Sequence, residues 1–111
     1  MKKLFKKFSG NAEMEEQDSE DIIDYKFGEN KYVAEIAEYI DSTYNAHYSK
    51  KKLQASEFIY DAGHGTGFNM GNVMKYAQRY GNKGTREDAR KDLLKVIHYA
   101  ILQLHVHDSN S

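Results

Sequence analysis

One glycine-bounded turn, Gly81-Asn82-Lys83-Gly84, separates two stretches whose apolar residues recur every three or four positions. That pattern makes Gly67–Tyr99 a helix, a turn and a second helix. The first helix is expected over residues 68–80, with Val73, Tyr76, Ala77 and Tyr80 facing the core, helped by Met70 and Met74. Gly81 suits a left-handed C-cap, and Thr85 with Asp88 three residues on has the spacing of a capping box. The second helix is expected over residues 86–106, with Ala89, Leu93, Val96, Ile97, Ala100, Ile101 and Leu104 as its apolar stripe. The chain has no proline, which agrees with a helical fold, because the proline ring breaks a helix interior.

Upstream, residues 31–48 carry the same period: Tyr32 or Val33, Ile36, Ala37, Ile40, Thr43, Tyr44 and Tyr48. Asn30 is a candidate N-cap. Residues 49–52, SKKK, read as a basic turn, and residues 53–62 as a shorter helix packing through Leu53, Phe58, Ile59 and Ala62. Gly63-His64-Gly65-Thr66-Gly67 reads as a glycine-rich loop that needs positive φ or close approach. Gly71 costs about 1 kcal/mol inside a helix relative to Ala, which points to a close contact with another helix or a ligand. Ile23, Tyr25 and Phe27 alternate as a short strand or extended packing segment would. Residues 1–21 read as a flexible arm, basic and then acidic, whose first ten residues can form a short amphipathic helix. Its acidic part is too polar to order itself. Residues 107–111 read as a disordered tail. The expected fold is all-α: a small bundle of about four helices over residues 22–106, with a C-terminal helical hairpin.

At 111 residues and 40% hydrophobic, the chain fits one domain with a small core, marginal alone and in need of a partner surface. A homo-oligomer is therefore expected. Formal net charge is −1, from 16 basic and 17 acidic residues, which argues against a general nucleic-acid binder. Nine Tyr and no Trp suit interfaces and ligand sites, because Tyr buries a ring and keeps a polar tip. With no cysteine, disulfides, thiolate nucleophiles and cysteine-bound zinc are excluded. The expected location is the cytoplasm, with no membrane span and no secretory leader.

On the helix through residues 68–80, Asn72, Lys75, Tyr76 and Arg79 share one face. Asn72 offers a donor and an acceptor, Lys75 a point charge, and Arg79 a planar fork suited to phosphate. Lys83 follows in the turn, beside a helix N-terminus that attracts anions. Lys91, Lys95 and His98 recur along the next helix, so the two faces could line one cleft. The same residues could also be a solvated surface balanced by Asp88 and Asp92. GHGTG lacks the Lys-Ser/Thr of a phosphate-binding P-loop and does not fit the dinucleotide fingerprint. Glu35 and Glu38 on one helix, with Glu57 and Asp61 on the next, form a second constellation able to hold magnesium if they face each other. His47 and His64 flank that helix, and His105-x-His107-Asp108 sits near the C-terminus.

His47-Tyr48, Phe58-Ile59, the run from Phe68 through Gly71, Asn72, Lys75, Tyr76, Arg79, Gly81 and Lys83, then Asp88, Lys91 and Tyr99, resemble the small SaV-like phage family known as domain of unknown function 3310. The resemblance covers roughly residues 47–104. Where members often carry an I-E-P-[IV]-[DE] step after His-Tyr, this chain has Leu53-Gln54-Ala55-Ser56-Glu57, without proline. The family includes a nucleotide kinase of short-tailed coliphages. The resemblance implies a phage origin, action in the host cytoplasm, and binding of a nucleotide or nucleotide-like phosphate through Asn72, Lys75, Tyr76, Arg79, Lys83, Lys91 and His47.

Three functions follow as expectations. One is a deoxynucleoside monophosphate kinase, its lysines and Arg79 neutralising phosphate charge. Another is a magnesium-dependent all-α nucleotide pyrophosphohydrolase using Glu35, Glu38, Glu57 and Asp61. Its usual motif is E-x-x-E followed by E-x-x-D, and Glu57-x-x-x-Asp61 is one residue longer than the second. The third is a non-catalytic factor that sequesters a nucleotide or binds a host protein.

Overall fold

The computed structural model describes residues 22–45, 47–82 and 84–110, with the side chains of His47, Tyr48 and Ser49 left aside. The arm over residues 1–21 lies outside the described residues. Four helices follow in order: α1 Glu29–Thr43, α2 His47–Asp61, α3 Gly65–Arg79 and α4 Arg86–Ser109. No strand occurs among the described residues, so the fold is all-α. The chain divides between Ser42 and Thr43 into two compact units.

In the first unit, Glu29 starts α1 by accepting the Phe27 N–H on Oε1 at 3.1 Å, one residue before the expected cap, Asn30. Gly28 makes the preceding turn at φ +70°. Ile36 is buried and Ala37 and Ile40 are half-buried, as the period requires, whereas Tyr32 and Val33 are exposed. The alternation Ile23, Tyr25, Phe27 forms neither a strand nor a packed segment: all three side chains are exposed.

In the second unit, the expected basic turn Ser49–Lys52 is the first part of α2 instead. The three lysines are good helix formers and nothing in SKKK breaks a helix. The expected glycine loop is also shorter. Gly63, at φ +87°, makes the turn, and α3 begins at Gly65. Gly65 is buried because Tyr60 and Val106 pass so close that an added Cβ would meet Tyr60 Cδ1 and Val106 Cγ2, each at 3.0 Å. Gly71 has no atom within 4 Å of an added Cβ, so no helix contact explains it. Gly81 takes φ +78°, as a left-handed C-cap requires. The capping box at α4 is complete: Asp88 N–H donates to Thr85 Oγ1 at 3.1 Å, and Thr85 N–H to Asp88 Oδ2 at 3.0 Å. Helix α4 runs to Ser109 with Val106 buried, so His107–Ser109 continue the helix where a disordered tail was expected.

The inward faces of α3 and α4 are only partly the apolar ones expected: Val73, Tyr76, Ala89 and Val96 turn inward. On α3, Gly65 and Asn69 are buried, with Phe68, Asn72, Val73 and Tyr76 half-buried, while Met70, Met74, Ala77 and Tyr80 are exposed. On α4 the inward line is Asp92, Val96, Tyr99, Gln103 and Val106, while Leu93, Ile97, Ile101 and Leu104 are exposed. The correction has a physical reason. Asn69, at 0% exposure, is tolerated because its amide is satisfied on both sides. Tyr60 O–H donates to Asn69 Oδ1 at 3.2 Å, Asn69 Nδ2 donates to Gln103 Oε1 at 3.3 Å, and Gln103 Nε2 donates to Thr66 Oγ1 at 2.9 Å. This chain of donors ties α2, α3 and α4 together and fixes their register.

Candidate anion-binding site on helices α3 and α4

Tyr76 is the centre of the site. It points inward from α3 and stacks on Tyr99 of α4, with ring centroids 6.1 Å apart and planes 10° from parallel. Phe68 meets Tyr99 edge-on at 6.0 Å. Three cations gather on the Tyr76 ring. Lys75 Nζ lies 4.8 Å from its centroid, the Arg79 guanidinium carbon 5.0 Å, and Lys95 Nζ from α4 5.6 Å. A ring face attracts each cation. The cations repel one another, and an anion placed among them would relieve that repulsion.

Arg79 already has one such anion. Its Nη2 lies 2.9 Å from Asp92 Oδ1, and its Nε lies 3.3 and 3.4 Å from the two carboxylate oxygens. The Asp92 side chain is only 4% exposed. Its hydrogen bond to Arg79 raises the arginine's pKa further above its ordinary value, against a smaller opposing effect of burial. Arg79 therefore serves first to neutralise a buried carboxylate. The Arg79 side chain is still 43% exposed. Counting Lys75, Arg79, Lys91 and Lys95 against Asp88 and Asp92, four charges against two, the site keeps a positive surplus.

The other expected binding residues divide. Asn72 is half-buried and spends a donor on its own helix, Nδ2 to the Phe68 carbonyl at 2.9 Å. Lys91 is exposed on α4, where its charge helps to hold Asp88 below the usual carboxylate range, after the larger effect of the Thr85 hydrogen bonds. The α4 N-terminus, expected to attract anions, is occupied by its own capping box and carries Glu87 and Asp88 in its first turn. His47 begins α2, but its side chain lies outside the described residues, and so does Lys83. Helix α4 instead brings His98 beside the ring of Tyr99, with centroids 6.1 Å apart. Burial, and then the charge of Lys52 on α2, push the His98 pKa down.

Of the carboxylates expected to hold magnesium, Glu35 and Glu38 belong to the first unit, and Glu57 and Asp61 to the second. Among the described residues, no three His, Cys, Asp or Glu side chains are grouped to hold a metal ion. No described helix is long and apolar enough to cross a membrane.

Two features of the site escaped the sequence pattern. Asp92 was counted as a surface charge, yet it lies three residues after Ala89 and four before Val96, within the inward register of α4. That position was the available signal. Tyr99 as the stacking partner of Tyr76 had no local signal, because the contact depends on how two helices pack.

Neither a curated protein nor a solved structure matches the chain. A model of a family described as a protein of unknown function, DUF3310, matches residues 42–100. That span includes α2, α3, the capped turn and the part of α4 carrying Asp92, Lys95 and Tyr99. The chain belongs to the DUF3310 family.

Proposed function

We propose that the α3–α4 face binds a nucleotide or a nucleotide-like phosphate. The observation that carries this reading is the convergence of Lys75, Arg79 and Lys95 from two helices on the Tyr76 ring. Lysine ammonium groups suit phosphate as point charges, and the Arg79 fork adds planar donors. The neighbouring Phe68, Tyr76, His98 and Tyr99 rings give a base a surface to stack on. Phosphate recognition thus falls to Lys75 and Lys95, with Lys91 at the rim. Asn72 orients α3 more than it contacts ligand.

The most specific form of the proposal is a phage deoxynucleoside monophosphate kinase, in which the same cations stabilise charge developing on the transferred phosphoryl group. The test is a thermal-shift and calorimetric titration of the full chain with deoxynucleoside mono- and triphosphates and with inorganic phosphate. Binding should stabilise the fold in proportion to the logarithm of ligand over Kd. Replacing Lys75 and Lys95 together with alanine should weaken binding at least tenfold. Nucleotides that shift nothing, or a double variant that binds as wild type, would sink the proposal. Phosphoryl transfer from a triphosphate to a monophosphate in the same mixture would establish the kinase, and binding without turnover a sequestering role.

A further inference from the structure

Asp92 is out of place by charge. An anion that settles among Lys75, Arg79 and Lys95 meets a carboxylate beside it, and like charges repel. Yet Asp92 stands on the inward line of α4 at 3% exposure, against one of the cations that gather on Tyr76. A carboxylate there weakens an anion site unless it does something for the cation it holds.

The atoms it engages show what that is. A guanidinium carries five N–H donors in one plane. Arg79 Nη2 donates to Asp92 Oδ1 at 2.9 Å, and Nε lies 3.3 and 3.4 Å from Oδ1 and Oδ2. Asp92 therefore grips the side edge of the fork, formed by Nε and Nη2. The end edge, formed by Nη1 and the second hydrogen of Nη2, has no acceptor among the described residues. Asp88 acts on Arg79 only through its charge, and less than Asp92 does. The guanidinium is held by its face as well, with its carbon 5.0 Å from the Tyr76 ring centroid. One edge and one face are fixed, and the edge left over can take two oxygens of a phosphate at once.

We propose that Asp92 is a positioning residue for the anion site: it holds Arg79 by Nε and Nη2 so that the Nη1–Nη2 edge is presented to the phosphate of the ligand. The proposal rests on the reading of the α3–α4 face as a phosphate site and adds a division of labour within it. Lys75 and Lys95 supply point charges on flexible stems. Arg79 supplies direction, because its fork is set before the ligand arrives and binding need not order it. Asp92 keeps its grip on Arg79 in the bound state.

Removing the Asp92 charge separates this role from a purely structural one, because the two predict opposite signs. If Asp92 only secured the packing of α3 on α4, Asp92→Asn would take a negative charge away from an anion site and tighten binding. If Asp92 aims Arg79, the same change weakens binding although the site has become more positive. Calorimetric titration of the full chain with deoxynucleoside mono- and triphosphates should show roughly tenfold weaker binding in Asp92→Asn, about the worth of one hydrogen bond between charged groups. Arg79→Lys keeps a cation against Asp92 but loses the planar fork, and should bind more weakly too. A second readout needs no variant. The arginines of the chain are Arg79, Arg86 and Arg90, so their side-chain nitrogens can be assigned one by one by NMR. Adding nucleotide to the wild-type chain should shift the Arg79 Nη1 signal and leave Nε nearly unmoved, and this measurement decides alone should Asp92→Asn not fold. Asp92→Asn chains that bind as tightly as wild type, or more tightly, would overturn the positioning role and leave the phosphate site standing. So would a ligand that moves Nε as much as Nη1, because it would be drawing Arg79 off Asp92. A wild-type chain that binds no nucleotide removes the site itself, and this role with it.

Discussion

Arg79 faces two claims. Its fork is held by Asp92 in the fold, and the proposed ligand would draw on the same cation. Truncating it strands a carboxylate that is 4% exposed. Breaking a fully buried pair costs about 3–5 kcal/mol. With the Arg79 side chain 43% exposed, Arg79→Ala should lower stability in urea unfolding by less than the loss of a fully buried pair would. Replacing both partners with apolar residues, Arg79→Met with Asp92→Leu, should recover most of that loss, because no charge is left stranded. A single Arg79→Ala variant as stable as wild type would show that Asp92 is hydrated instead. Loss of ligand binding in that variant is therefore not evidence of direct contact, and Lys75 and Lys95 are the cleaner probes. The helical period placed Arg79 on one face with Tyr76, and the two side chains do meet. It could not show that Asp92 would claim the arginine, because that pairing depends on the packing of α3 on α4.

The two glycines of α3 make opposite predictions. Gly65→Ala pushes a methyl against Tyr60 and Val106 at 3.0 Å, and overpacking of that kind costs about 1–3 kcal/mol. Gly71→Ala meets nothing and should stabilise α3 by roughly 0.5–1 kcal/mol through helix propensity alone. Thermal melts of the two variants should move in opposite directions, and a Gly71→Ala variant that melts lower would reveal a contact at that position. Helix existence was legible in the chain wherever the period ran long, as in α1 and α4. Boundaries were legible where local chemistry set them: Gly81, Thr85 and Asp88 end α3 and start α4 as their residue types require. Elsewhere they slipped. Three lysines read as a turn, and three closely spaced glycines read as one loop when two of them belong to α3. The inward faces were partly misread because apolar periodicity assumes an apolar interior, and the residues that α3 and α4 turn to each other include Asn69, Gln103 and Asp92.

Stability of the second unit should depend on pH through His98. Burial and the Lys52 charge lower its folded pKa below the ordinary 6.5. Above pH 6.5 the imidazole is neutral folded or unfolded and contributes nothing to the balance. Below it the unfolded chain takes up the proton first, so stability falls as pH drops, until the folded pKa is passed as well. His98→Gln should flatten the decline between pH 6.5 and pH 5 in denaturant melts, and an unchanged slope would assign it to other groups. Asp88, held below 3.8 mainly by the Thr85 backbone hydrogen bond, adds a separate loss only in stronger acid.

The few buried hydrophobic side chains among the described residues also bear on how the molecule comes to be folded. Little apolar surface then leaves water as the chain folds, so the heat capacity change of unfolding should be small for 111 residues. A calorimetric scan checks this, and an ordinary value per residue would show that more apolar surface is covered in solution.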